Sequence, residues 1–160
     1  DFHTIDLFNY IKKIDENINI AISDEEGEFD LYYFHNRSAL NSLDVNRKKN
    51  AKEIKKVKTK TLNSIIENSK FQKDKINLLS IDVEGHELEV IKSIDLIKYS
   101  PEIILIEFME KKLNEIKFYK QNINSIIVSD LYKYMIKNNY YFVNWINNDL
   151  VFAHTDIRNK

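Results

Sequence analysis

The sequence predicts an α/β domain whose mostly parallel sheet is closed by an antiparallel C-terminal hairpin, and three stretches carry that expectation. The run Ile76-Asn-Leu-Leu-Ser-Ile-Asp-Val83 has the apolar, β-branched content of a buried parallel strand, and it stops at Glu84-Gly85. Beyond the glycine the period changes. Leu88, Ile91, Ile94 and Ile97 fall at helical spacing, with Glu87 and Glu89 in the first turn, where the helix dipole favours negative charge. After Pro101 comes a second continuous apolar strand, Ile103 to Phe108. A strand, helix, strand connection is right-handed in nearly all sheets, so these two strands are expected to be parallel, as neighbours or with one strand between. Finally, Tyr140 to Ile146 and Leu150 to His154 flank the three-residue turn Asn147-Asn-Asp149 and read as a hairpin at the sheet edge.

The remaining elements follow in order. Ile5, Phe8, Ile11 and Ile14 share one face of a helix from Thr4 to about Ile14, with Lys12 and Lys13 in its last turn. Asn17 to Ile22 alternates as a strand does, Ser23 to Gly27 is turn chemistry, and Glu28 to Phe34 reads as a second strand, so a hairpin is predicted there. His35 to Asn50 is a polar loop. From Arg47 to Lys60 eight basic residues stand against the single acid Glu53. Such a run can bind phosphates, but no aromatic residue is interleaved for base stacking, so a solvated loop entering a strand at Ile54 is the preferred reading. Thr61 to Asn68 is a short helix buried through Leu62, Ile65 and Ile66. Lys111 to Asn124 is polar. Ser125 to Asn138 reads as one helix with Ile127, Leu131, Tyr134 and Met135 inward, and Asn139 stands where a helix end takes a left-handed residue.

Composition bounds the function. A chain of 160 residues suits one domain that buries about 70% of its unfolded surface, and 43% hydrophobic content argues against disorder. The net charge of -1 gives no bias toward nucleic acid or an anionic membrane. With no cysteine, disulfide and thiolate chemistry are excluded. No apolar run reaches the roughly 18 residues of a membrane span, and the first residues lack the pattern of a signal peptide. The expectation is a soluble cytoplasmic domain with no nucleic-acid or membrane partner. Gly27 and Gly85 are the only glycines, so the chain holds no complete Gly-rich phosphate or cofactor loop. A piece of the parent fold is therefore expected upstream of Asp1.

Ligands in open α/β sheets bind at the carboxyl ends of the strands, which makes Asp82 and Glu84 a candidate site, joined by Glu107 if the two strands are neighbours. Such carboxylates could position or deprotonate an acceptor hydroxyl. They could also hold magnesium or manganese, although no resident metal is assigned. His86 is a candidate base at a helix start. Trp145 and the aromatics from Tyr140 to Phe142 read as packing residues.

The run Leu79-Ser-Ile-Asp-Val-Glu-Gly-His-Glu-Leu-Glu-Val-Ile91, followed by Pro101-Glu-Ile-Ile-Leu-Ile-Glu107, resembles the core signature of the FkbM-type S-adenosylmethionine-dependent methyltransferases. Asn19-Ile-Ala-Ile-Ser-Asp24 with Gly27 and Tyr32 is similar to that family's third strand and the strand after it. Ser38 to Ser42 is similar to its serine-bearing loop, Thr59 to Leu62 to its next helix start, and the Tyr140 to His154 hairpin to its last two strands. The resemblance implies a Rossmann-like class I methyltransferase sheet, with residues 1–160 a single domain truncated before its Asp-x-Gly-x-Asn-x-Gly type loop and first strands. It implies S-adenosylmethionine as cofactor and O-methylation of a small-molecule or sugar hydroxyl. Ser23 and Asp24 would lie near the adenine edge, Ser38 and Ser42 near cofactor or substrate, and Asp82 between cofactor and acceptor. Two other readings stay open: a noncatalytic remnant or interaction module that binds no cofactor, and a metal-dependent hydrolase built on Asp82, Glu84 and Glu107.

Overall fold

The described residues, 15–34, 40–108 and 123–159 of a computed structural model, form two mixed sheets and several helices. The helix expected over residues 4–14, Ser38 and most of the polar stretch 111–124 lie outside the described residues. The first sheet contains β1 (Ala21–Ile22), β2 (Gly27–Tyr33) and β3 (Glu53–Lys60) in the order β1-β3-β2. The second contains β4 (Leu78–Ile81), β5 (Ile103–Glu107), β6 (Tyr140–Ile146) and β7 (Asp149–His154) in the order β4-β5-β7-β6. Among the described residues β1 and β3 pair parallel, as do β4 and β5, whereas β2 with β3, β5 with β7 and β6 with β7 pair antiparallel.

The predicted hairpin of residues 17–34 does not form, because β3 lies between its two strands. Thr59 sits opposite both Ala21 and Gly27, and its hydroxyl donates to the Glu25 carbonyl at 2.9 Å, in the connection between β1 and β2. Charge explains the choice of partner. The lysines of β3 face the acids of β2, with Lys58 opposite Glu28 and Lys56 opposite Asp30, the latter pair 2.6 Å apart. The basic run is thus a 3-10 turn, Val45–Asn50, leading into a solvated strand, in line with its preferred reading.

Helix α1 (Leu62–Asn68) starts at Thr61, whose hydroxyl accepts the Ser64 N–H. Its first amides anchor it to the end of α2 (Glu87–Lys92): Leu62 N–H donates to Ser93 Oγ and Asn63 N–H to the Ser93 carbonyl, both at 3.0 Å. Ser93 ends α2 and Asp95 caps α3 (Leu96–Tyr99) through the amides of Ile97 and Lys98. This break corrects the continuous stripe predicted through Ile97, which is 81% exposed; Ile91 and Ile94 are buried as predicted, and Val90 and Leu96 join them. Ser100, at φ 35, closes α3 ahead of Pro101.

The single helix predicted over 125–138 is likewise two, α4 (Ile123–Ile127) and α5 (Asp130–Lys137). Ser129 divides them: its hydroxyl donates to the Ile126 carbonyl at 2.6 Å and accepts the Tyr132 N–H at 3.1 Å. Ile127 is consequently exposed, and Ile126, Leu131 and Met135 make the buried face. Ser129→Ala is expected to cost about 1 kcal/mol of stability, measured by chemical denaturation.

The core lies against the second sheet, where Ile91, Ile104, Ile106, Ile126, Met135, Leu150 and Phe152 are fully buried. Ile22, Leu62 and Ile66 pack on the same cluster, which ties β1 and α1 to it. The C-terminal hairpin forms, with β7 inside the sheet and β6 at its edge. Strand β7 takes the covered position: Leu150, Phe152 and Ala153 are buried, whereas Val143 and Ile146 of β6 are exposed. Ile146 pairs directly with Asp149, so the turn has two residues rather than three, and Asn147 takes φ 55. Asn139 is left-handed at φ 66, as its position after α5 predicts. Strand β4 is less buried than its composition suggests, with Leu78 59% exposed, because it ends the sheet and pairs only with β5 among the described residues. None of the described helices is long and apolar enough to cross a membrane.

Candidate active site

Parallel pairing of β4 with β5 sets Ile81 opposite Ile106, so both strands end at the same level of the sheet. Asp82 and Glu84 follow the first strand and Glu107 completes the second. One carboxylate oxygen from each of the three lies within 4.8 Å of the others. The group runs from open to closed: Asp82 is exposed, the Glu84 side chain is 20% exposed and Glu107 is buried at 8%.

Backbone geometry presents this cluster. Glu84 takes φ 58 and Gly85 φ 101, two consecutive left-handed residues that turn the chain sharply between β4 and α2. A Cβ at Gly85 would meet Asp44 Oδ2 at 3.0 Å, and its φ of 101 is the conformation that calls for glycine there. Glu87 folds back from the first turn of α2, and its Oε1 accepts the Gly85 N–H at 2.8 Å and the Val83 N–H at 3.3 Å. Burial pushes the Glu87 carboxyl up, an effect its backbone hydrogen bonds oppose. From the other side, the hydroxyl of Ser42 donates to the Glu84 carbonyl at 2.7 Å and accepts the Asp44 N–H at 2.9 Å. The guanidinium of Arg47 lies 2.9 Å from Glu84 Oε2.

Glu107 has no comparable support. Among the described residues its buried Oε2 has no hydrogen-bond partner. Burial first, and then the negative charges of Asp82, Glu84, Glu87 and Asp149, push its carboxyl up to about 7. Beside it, Phe108 meets Trp145 edge to face at 5.9 Å, and the indole Nε1 of Trp145 is also buried without a partner.

The other sequence-derived candidates are distributed as follows. His86 is not among the three clustered carboxylates; its Nε2 lies 3.0 Å from Ser23 Oγ and its Nδ1 3.6 Å from Glu89. Ser23 is fully buried and also donates to the exposed Asp24 at 3.2 Å. Ser23 and His86 thus join the end of β1 to the start of α2, while Ser42 holds the Glu84 turn. Sequence reasoning did not single out Arg47, Glu87 or Asp149. Arg47 carried one signal, being the lone arginine in a lysine run, since its fork suits a carboxylate better than an ammonium does.

The family described as Methyltransferase FkbM domain matches residues 5–141 of this chain. No curated protein and no solved structure matches it.

Proposed function

Because the chain belongs to the FkbM methyltransferase family, we propose that it carries the acceptor side of an S-adenosylmethionine-dependent O-methyltransferase, acting on a hydroxyl of a small molecule or sugar. The observation that carries this reading is the convergence of Asp82, Glu84 and Glu107 at the carboxyl ends of two parallel strands. The crossover from β4 through α2 and α3 to β5 is the kind of unit from which a Rossmann-like sheet is built, and it supports that architecture.

The residues present suit a cationic methyl donor, because the cluster concentrates negative charge with only Glu84 paired to a cation among its members. S-adenosylmethionine, when bound, would supply an electrophilic methyl group to the acceptor oxygen. The chain's task is to orient that oxygen and take its proton. Asp82 fits the second role best. It is the exposed member, whereas Glu84 is committed to Arg47 and Glu107 lies deeper. Gly85 and Ser42 keep the turn in place, and Glu87 braces it from below.

Calorimetric titration of the full-length protein with S-adenosylmethionine tests the reading. Stoichiometric binding is the expected result. Absence of heat at millimolar ligand would overturn it and favour an interaction module instead.

A further inference from the structure

Three carboxylates held together in a folded protein repel one another and must lose charge or gain a partner. Here the geometry limits the partner. Glu84 Oε2 is engaged by Arg47, and among the described residues neither Asp82 nor Glu107 forms an ion pair. Glu107 is more than nine-tenths buried, its Oε2 has no hydrogen-bond partner, and its carboxylate belongs to the cluster. A buried oxygen left without a donor is costly, and native proteins rarely keep one without a ligand or a function.

We propose that Asp82, Glu84 and Glu107 form a binding site for a hard divalent cation, magnesium or manganese. Ligand chemistry supports this choice, because the donors are all carboxylate oxygens, with no thiolate or imidazole among them. Spacing supports it too: an octahedral ion with bonds of about 2.1 Å separates its ligand oxygens by roughly 3–4 Å, compatible with the 4.8 Å limit found here. The ion takes one oxygen from each carboxylate. Its remaining positions are left to water or to oxygens of an acceptor, and solvent reaches the site beside the exposed Asp82.

This site goes beyond the methyl-transfer reading and does not rest on it, so it is tested without methyl donor or acceptor. The full-length protein is titrated with manganese chloride, following bound ion by calorimetry and free Mn²⁺ by electron paramagnetic resonance. One Mn²⁺ per chain, displaced by excess Mg²⁺, is expected. In Glu107→Gln the affinity should fall about tenfold or more, with circular dichroism confirming the fold. Asp82→Asn, at an exposed position, repeats the comparison independently of any folding defect in the first variant. No stoichiometric binding at millimolar Mn²⁺ would overturn the assignment. Equal affinity in the wild type and both variants would do the same, since the ion would then lie elsewhere.

Discussion

Asp82→Asn is expected to lower the turnover of methyl transfer by about 10²–10⁴-fold while leaving affinity for S-adenosylmethionine nearly unchanged. Asparagine keeps the shape and most hydrogen bonds of aspartate but cannot accept a proton at neutral pH. The three carboxylates are not equivalent in this respect. Glu84 is held against Arg47 at 2.9 Å, which engages one of its two oxygens. Glu107 lies at the closed end with 8% exposure. Asp82 alone is exposed at the end of a strand, where an acceptor hydroxyl can approach it. If an ion occupies the cluster, the same substitution removes one of its ligands, so turnover falls by either route. Initial rates with a labelled methyl donor, set beside calorimetric affinity for that donor, read the two effects apart. Wild-type turnover in the variant would take Asp82 out of the reaction.

Much of this site was legible in the sequence because its parts are local. An apolar run ending in Asp-Val-Glu-Gly and a second ending in Glu107 each announce a strand and its carboxyl end, and the crossover rule makes the two parallel. Their adjacency in the sheet then brings residues 25 positions apart, Asp82 and Glu107, into one cluster. What surrounds the cluster was not legible, for it depends on pairings across long separations. Arg47 reaches Glu84 from 37 residues away and Ser23 meets His86 across 63. Nothing in the local pattern marks either contact. The N-terminal hairpin failed for a related reason: β3 is so rich in lysine that it reads as a solvated edge, yet its cross-strand match to Glu28 and Asp30 places it in the middle. The broken helices are a different case. Ser93, Asp95 and Ser129 are ordinary capping residues, and the apolar period running through them masked the stops.

Glu107→Gln is expected to make the ion-free protein more stable at pH 8 and to leave it nearly unchanged at pH 4. The wild-type carboxyl titrates at about 7 in the folded chain, against 4.5 as the ordinary value. Between those two values the folded state keeps a proton that the unfolded state has released. Stability is therefore fully present below about pH 4.5, is lost as pH rises through about 7, and is constant beyond. A displacement of that size is worth at most about 3.4 kcal/mol, and nearer 1–2 kcal/mol once water reaching the cluster beside Asp82 screens the charge. Glutamine is neutral throughout, so the variant escapes the loss. For a chain of this length the gain corresponds to roughly 3–6 °C in melting temperature, measured in EDTA at both pH values. Glu87 is displaced in the same direction and is present in both proteins, so the difference between them isolates Glu107. Added Mn²⁺ should reverse the order at pH 8, because it supplies the counter-charge that only the carboxylate can use. A variant no more stable than wild type at pH 8 in EDTA would mean that neither burial nor the neighbouring charges disfavour the Glu107 carboxylate in the folded chain.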